Sequence, residues 1–291
     1  NGDRFVGPVI GRFGNRINHA SFTLDGVKYD IAANENLGGE PVQCHGGFKG
    51  FDQFVWKGEV VREEGRQGVK FYRLSPDGEE GFPGNMEAYV TYWLSDDNVV
   101  TLEYEATTDK PTVVNLSNHT FFNLRGSEPS YVMEHIMQVE ADTCVQNNLQ
   151  YCPDILLPVE DTPFDFREPH AIGERIGEKH EQLINGGGYD QNWVFAREDN
   201  GQVMTLASVY EPSTGRCMDI ATDQVAMQFY SGNFFDGTYN GKYGKAIKYR
   251  ESLALETQKH PDAINHEGFP SIVLNPDEVY THVCIYKFYT K

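Results

Sequence analysis

Short stretches in which apolar and polar residues alternate, separated by Gly, Pro, Asn and Asp, recur along the whole 291-residue chain. In a strand successive side chains point to opposite faces, so a period of two reads as β structure. Ser21-Phe22-Thr23-Leu24, Asp25-Gly26 and Val27-Lys28-Tyr29-Asp30-Ile31 read as a hairpin, because Asp-Gly supplies the positive φ of a two-residue turn. Met86, Ala88, Val90, Tyr92 and Leu94 share one face of a second strand; Ser95-Asp96-Asp97-Asn98 turns the chain, and Val100, Leu102, Tyr104 and Ala106 continue the period. From Val279 to Tyr289 apolar residues occupy both faces, Val279, Val283 and Ile285 on one and Tyr280, Cys284, Tyr286 and Phe288 on the other. That pattern predicts a strand buried on both sides, as inside a sandwich. One short helical piece is expected around Ala171 to Leu183, interrupted by Gly173 and Gly177. With no linker, internal repeat or heptad, residues 1–291 are expected to form a single all-β sandwich domain.

Charge and composition narrow the partners. The chain holds 24 basic and 43 acidic residues, a formal net charge of −19, whereas nucleic acid and anionic membrane surfaces require a concentrated positive field. Both are excluded as expected partners, and a phosphorylated substrate is disfavoured. The basic run Lys242, Lys245, Lys248 and Arg250 reads as a solvated loop. No apolar run reaches the roughly eighteen residues of a bilayer span. Asn1-Gly2-Asp3-Arg4-Phe5 shows neither a leader pattern nor an initiator Met, so a fragment or processed form is expected. Cys44, Cys144, Cys152, Cys217 and Cys284 are widely spaced and odd in number, which reads as free buried thiols and points to the cytoplasm. The nine histidines show no zinc-site spacing, and no metal is expected.

Several segments put polar side chains where a strand pattern calls for apolar ones. Asn115-Leu116-Ser117-Asn118-His119-Thr120 is the densest, and its two glycan-acceptor matches read as accidental in such apolar surroundings. His119 is either a core histidine or a group that titrates near neutrality. In Leu253-Ala254-Leu255-Glu256-Thr257-Gln258 a carboxylate follows an apolar run; it is either an outward strand residue or a general base activated by partial desolvation. Gly187-Gly188-Tyr189-Asp190-Gln191-Asn192-Trp193, Cys44-His45-Gly46-Gly47 and Gly11-Arg12-Phe13-Gly14-Asn15-Arg16-Ile17 add a carboxylate, an imidazole, an amide and a guanidinium. Aromatic rings beside such groups suit a sugar, whose apolar faces stack while its hydroxyls need fixed polar partners. No phosphate-cradling P-loop is present.

Taken in order, these motifs resemble the aldose 1-epimerase (galactose mutarotase) family over nearly the whole chain. The resemblance rests on Gly11 to Ile17; His45-Gly46-Gly47 with Gly50-Phe51-Asp52 and Val55-Trp56; Ser75 to Gly84; Asn115 to Leu124; Tyr189-Asp190; Gln228 to Phe234; and Leu255-Glu256-Thr257-Gln258 with Pro261-Asp262-Ala263. It implies a large antiparallel β-sandwich, the galactose mutarotase-like supersandwich, and cofactor-free exchange of the α and β anomers of a free aldose such as galactose or glucose. Glu256 resembles the family's general base and His119 its general acid. Asn15, Arg16, His45, Asp190 and Gln228 resemble its sugar-holding set, with Phe234 at the pocket lining. Asp190 near His119 is expected to help keep the imidazole charged.

The chain departs from the family at Gly14, where Ala is usual, at Gln191, where His is common, and at Pro276-Asp277-Glu278, where Pro-Gly-Glu is usual. Gln191, beside Asp190, is expected to alter sugar preference. Family members also carry strands before the first motif, so a sheet edge is expected to lie exposed. Two other readings remain: a glycosidase using Glu256 and Asp190 as paired carboxylates, and a non-catalytic sugar-binding protein of the same fold.

Overall fold

The computed structural model describes residues 5–126, 130–241 and 244–291, with backbone only at Tyr239. Residues 1–4 of the opening segment and Lys242 of the basic run lie outside the described residues. Two antiparallel sheets dominate. A nine-stranded sheet runs in the order His170–Ala171, Ile136–Val139, Met204–Glu211, Arg216–Thr222, Tyr280–Thr290, Val99–Thr108, Met86–Ser95, Arg66–Ser75 and Lys57–Glu63. A six-stranded sheet runs Phe121–Phe122, Leu253–Gln258, Ala226–Tyr230, Asp190–Val194, Thr143–Asn147 and Pro153–Pro158. Their facing sides share one core: Ala88, Val90, Leu102, Met218 and Ile220 from the larger sheet meet Trp193, Met227, Phe229 and Leu255 from the smaller. Each is essentially solvent-free, and burial of a large apolar side chain contributes roughly 1.5–3 kcal/mol.

Both hairpins form where alternation places them. Asp25 and Gly26 have φ of 50° and 78°, and Leu24 pairs with Val27. Leu94 pairs with Val100 across the second turn. The C-terminal strand differs from expectation: Cys284 and Tyr286 are buried, Val283 and Ile285 only half-buried, and Val279 precedes the strand and is exposed. Only one face of the large sheet meets the other sheet, so double burial fails. The helical piece divides into Ile172–Arg175 and Glu181–Gly186, the chain leaving helical geometry around Gly177. The described part of the basic run is loop only in part: Lys245 and Arg250 lie outside strands, Lys248 ends the strand Ala246–Lys248, which pairs with Asp236–Asn240, and Arg250 donates to the Gly187 carbonyl. Asp277 has φ 70°, which explains why glycine suits that position. All five cysteines are buried and unpaired. No described helix is long and apolar enough to cross a membrane.

Candidate active site

Five strands frame the site: β1 (Arg16–Asn18), β2 (Glu40–Cys44), β3 (Asp190–Val194), β4 (Ala226–Tyr230) and β5 (Leu253–Gln258). Strands β3, β4 and β5 are neighbours in the six-stranded sheet, and β1 pairs with β2 in a separate small sheet. Register decides which side chains meet. Asp190 lies opposite Tyr230, and Tyr230 opposite Ala254; Asn192 lies opposite Gln228, and Gln228 opposite Glu256. Because faces alternate, these residues share the side of the sheet turned from the core, while Trp193, Phe229 and Leu255 fill the core side. The sheet is therefore apolar on one face and chemical on the other.

His119 enters from a neighbouring segment. Ser117–Asn118 pairs with Val9–Ile10, the His119 N–H donates to the Pro8 carbonyl, and its carbonyl accepts from the Gly7 N–H. Ser117 Oγ donates to the Thr257 carbonyl at 3.0 Å, docking the segment on β5. His119 Nε2 thereby comes to 3.4 Å from Glu256 Oε1. Asn115 and Asn118 are buried, so neither glycan-acceptor match reaches the surface.

His45 follows β2 in a run of positive φ: 49° at His45, 87° at Gly46 and 99° at Gly47. A Cβ at Gly46 would lie 1.9 Å from the Gly11 carbonyl oxygen, so only glycine permits this close approach. His45 Nδ1 accepts the Asn15 N–H at 3.1 Å. The neutral ring therefore carries its proton on Nε2, and His45 is a donor.

All eight residues singled out from the sequence, Asn15, Arg16, His45, His119, Asp190, Gln228, Phe234 and Glu256, line one cavity together with Cys44 and Tyr230. A larger cavity, about 420 Å³, lies elsewhere and includes Asp199, Asp223, Gln224 and Lys259. Its charges are committed: Lys259 pairs with Asp199 at 2.6 Å, and Asp223 accepts from the Val283 N–H and Gln224 Nε2. The smaller cavity holds His119 and Glu256 together.

Sequence reading misses four neighbours of the site. Tyr230 had a signal, since a period of two from Gln228 puts it on the same face. Glu35 had none: it sits outside any alternating pattern, yet it receives Arg16 Nε at 2.8 Å. Cys44 precedes His45 without a distinguishing pattern. Phe5 packs its ring 4.6 Å from His45 and 6.3 Å from His119.

Burial sets the protonation of the pair. It pushes His119 down from 6.5 to about 4. It raises Glu256 well above the ordinary carboxylate value; the charge of Asp190 adds to this and that of Arg16 opposes it. Glu256 Oε2 has no hydrogen-bond partner among the described residues, so none of them compensates its lost water. Asp190 is raised by burial too, offset by Arg16 and by the 2.8 Å hydrogen bond that its Oδ1 accepts from Gln228 Nε2. The expectation that Asp190 keeps His119 charged needs correction: the charge of Asp190 acts on Glu256 and not on His119, and burial drives the imidazole neutral. His45, His119 and Glu256 bring possible ligand atoms within 4.8 Å. Metal-binding imidazoles normally donate from their second nitrogen, whereas His45 accepts there, so the trio is arranged for hydroxyls rather than for an ion.

Comparison with known proteins shows the family. Residues 1–287 match the sequence model of the aldose 1-epimerase family. The galactose mutarotase of Rattus norvegicus is 39% identical over 285 residues, 98% of this chain and 79% of that protein. The chain belongs to the aldose 1-epimerase family. The aldose 1-epimerase of Escherichia coli K12 is 36% identical over 288 residues, 98% of this chain and 80% of that protein. Among solved structures, an aldose epimerase homologue from C. elegans superposes with a TM-score of 0.85 at 30% identity, covering 100% of this chain and 84% of that one. Galactose 1-epimerase from Lactobacillus acidophilus gives 0.87 at 24% identity, covering 100% and 81%, and shares the large antiparallel fold.

Gln191, expected to alter the sugar preference of this epimerase, does not line the cavity. Alternation along β3 turns its side chain away from the Asp190 face; its Oε1 accepts the Asp190 N–H and its Nε2 donates to the Gln182 carbonyl. Its link to the site is through the β3 backbone. The Ser75–Gly84 motif is likewise a support: the buried Arg12 guanidinium donates to Ser75, Pro76 and Pro83, fixing the segment that leads to Arg16.

Proposed function

We propose that this epimerase exchanges the α and β anomers of a free aldose, with Glu256 as general base, His119 as general acid, and Asn15, Arg16, His45, Asp190, Gln228 and Phe234 holding the sugar. The observation that carries the reading is the 3.4 Å approach of His119 Nε2 to Glu256 Oε1 within one cavity also lined by Arg16, His45 and Asp190. Glu256 removes the O1 proton while His119 protonates the ring oxygen; the C1–O5 bond breaks and C1=O1 forms. Rotation about C1–C2 presents the other carbonyl face, and the two groups reverse their roles. Arg16 and His45 supply donors and Asp190 an acceptor for the other hydroxyls, so that only the anomeric centre turns. At the rim Phe234, 59% exposed and stacked on Tyr230 at 6.0 Å, offers an apolar sugar face a platform.

Before and after ring opening the pair holds one proton. Carboxylate plus imidazolium reacts; carboxylic acid plus imidazole results. Burial disfavours both charges, so the resting pair is carboxylic acid plus imidazole; passing that proton from Glu256 to His119 across 3.4 Å gives the reactive ion pair, a strong base beside a strong acid. Pairing of Glu256 with His119 rather than with Asp190, which Gln228 engages, favours this reading over a two-carboxylate glycosidase. Two buried carboxylates opposite one Arg16 already paired to Glu35 also disfavour a phosphorylated sugar.

Polarimetry on freshly dissolved α-galactose and α-glucose tests the activity. The rate of approach to equilibrium rotation rises in proportion to protein; a rate equal to that of buffer overturns the proposal. The pH profile tests the pair. A second proton must land on His119, so activity is lost only as pH falls toward about 4, below the 6.5 of a free imidazole. An acid limb at 6.5 or above contradicts the assignment. The alkaline limb reports loss of the proton from the pair, whose affinity Asp190 raises through Glu256. Asp190→Asn therefore moves the alkaline limb to lower pH and leaves the acid limb in place; a shift of the acid limb instead contradicts it.

A further inference from the structure

We propose that His282 is a positioning residue for the Glu256–His119 pair, tying the segment that carries the acid to the strand that carries the base. The inference rests on the acid–base reading above. His282 lies on the C-terminal strand of the large sheet, is fully buried, and stacks on Tyr104 of the adjacent strand with ring centroids 4.5 Å apart and planes 12° apart. Its two nitrogens reach different parts of the site. Nδ1 lies 3.2 Å from the Leu116 carbonyl, three residues before His119, and Nε2 lies 2.9 Å from Thr257 Oγ1, one residue after Glu256. A carbonyl only accepts, so Nδ1 carries the proton and donates; Nε2 is then an acceptor for the Thr257 hydroxyl. Burial holds this ring, like His119, down to about 4, so it stays neutral and keeps that donor–acceptor polarity.

The same strand grips the peptide from its other side, since the Tyr280 hydroxyl accepts the Leu116 N–H at 3.1 Å. Leu116 is thus fixed at both its polar groups by a strand of the rigid nine-stranded sheet. Ser117 Oγ to the Thr257 carbonyl, and Asn115 Oδ1 accepting the Lys259 N–H at 2.9 Å, add direct ties between the two segments. Only His282 bonds both of them while anchored in the large sheet, among the described residues for which such bonds are recorded. Arg16, His45, Asp190 and Gln228 stand on strands and turns that His282 does not touch through these bonds. The sugar-holding residues meet the pair only through backbone pairing, Gln228 opposite Glu256 and Gly14 with Asn115, so misplacing the pair by a fraction of an ångström lowers proton transfer more than sugar grip.

The test uses His282→Phe, which keeps a ring against Tyr104 but removes both nitrogens, and Thr257→Val, an isosteric change that removes only the hydroxyl. Both are assayed for kcat by polarimetry and for galactose affinity by calorimetry. The expected result is a kcat about tenfold lower in His282→Phe and several-fold lower in Thr257→Val, with affinity held within about twofold. His282→Asn, which restores a donor toward Leu116, recovers part of the loss. A kcat equal to wild type, or an affinity that falls in step with kcat, overturns the proposal; if His282→Phe does not fold, Thr257→Val decides by the same criterion. Glu256→Gln is measured alongside. If it is inactive while the other variants match wild type, the positioning role fails alone; if it is fully active, the acid–base reading fails and this inference with it.

Discussion

Glu256→Gln loses nearly all acceleration of mutarotation, with kcat lower by about 10³-fold or more, while still binding galactose. General-base catalysis contributes about 10² to 10⁴ in rate, and Gln keeps the shape of the side chain but cannot accept the O1 proton. The larger end of that range is expected because the carboxylate is 1% exposed, so no solvent molecule can substitute for it at the same position. Stability should move the other way. A buried carboxyl with an unpartnered oxygen is a cost to the fold, so the variant should unfold at the same denaturant concentration as wild type or a higher one. Full activity in Glu256→Gln, or loss of activity through unfolding, contradicts the account.

His119→Gln is the second large effect, a kcat lower by about 10² to 10³ at neutral pH. The amide donates to O5 but has no proton to transfer. Since His119 and Glu256 act on the same sugar in one step, their losses should not add: the double variant should be about as slow as Glu256→Gln alone. Multiplying losses in stopped-flow polarimetry would mean that the two groups work independently.

Alternation alone carried much of the architecture. Asp25-Gly26 supplies the turn its strands need, and Met86, Ala88 and Val90 with Leu102, Tyr104 and Ala106 are buried on one face as alternation places them, whereas toward the turn Trp93 is buried on the other face and Leu94 is exposed. The C-terminal strand misled for a related reason. Val283 and Ile285 are apolar yet only half-buried, and apolar residues on a solvent face are common enough that composition cannot distinguish one covered side from two. The site was legible where chemistry breaks the pattern, as at Glu256 after Leu253-Ala254-Leu255. It was hidden where the cue is three-dimensional. Glu35 becomes part of the site only because β1 and β2 fold back to set Arg16 beside it. Desolvation of Glu256 was one of two readings that the sequence left open, and the structure places it on the buried side; the fall of His119 to about 4 was out of reach, since it depends on how deeply the neighbouring segment packs over β5.

The same register shows what the site asks of the fold. Asn192 and Gln258 are buried on the Glu256 face of the sheet with amide atoms that pair with no group among the described residues. An unpaired buried polar group costs about 1–3 kcal/mol, and an apolar floor would be more stable.

The most direct test follows the oxygen at C1. If Glu256 and His119 open the ring, C1–O5 breaks and C1–O1 stays intact; if water attacks C1, O1 leaves. Galactose labelled with ¹⁸O at C1, mixed with the protein and followed by optical rotation and mass spectrometry together, separates the two. The account predicts that rotation reaches equilibrium while the label is still in place. Loss of label in step with the change in rotation would contradict it.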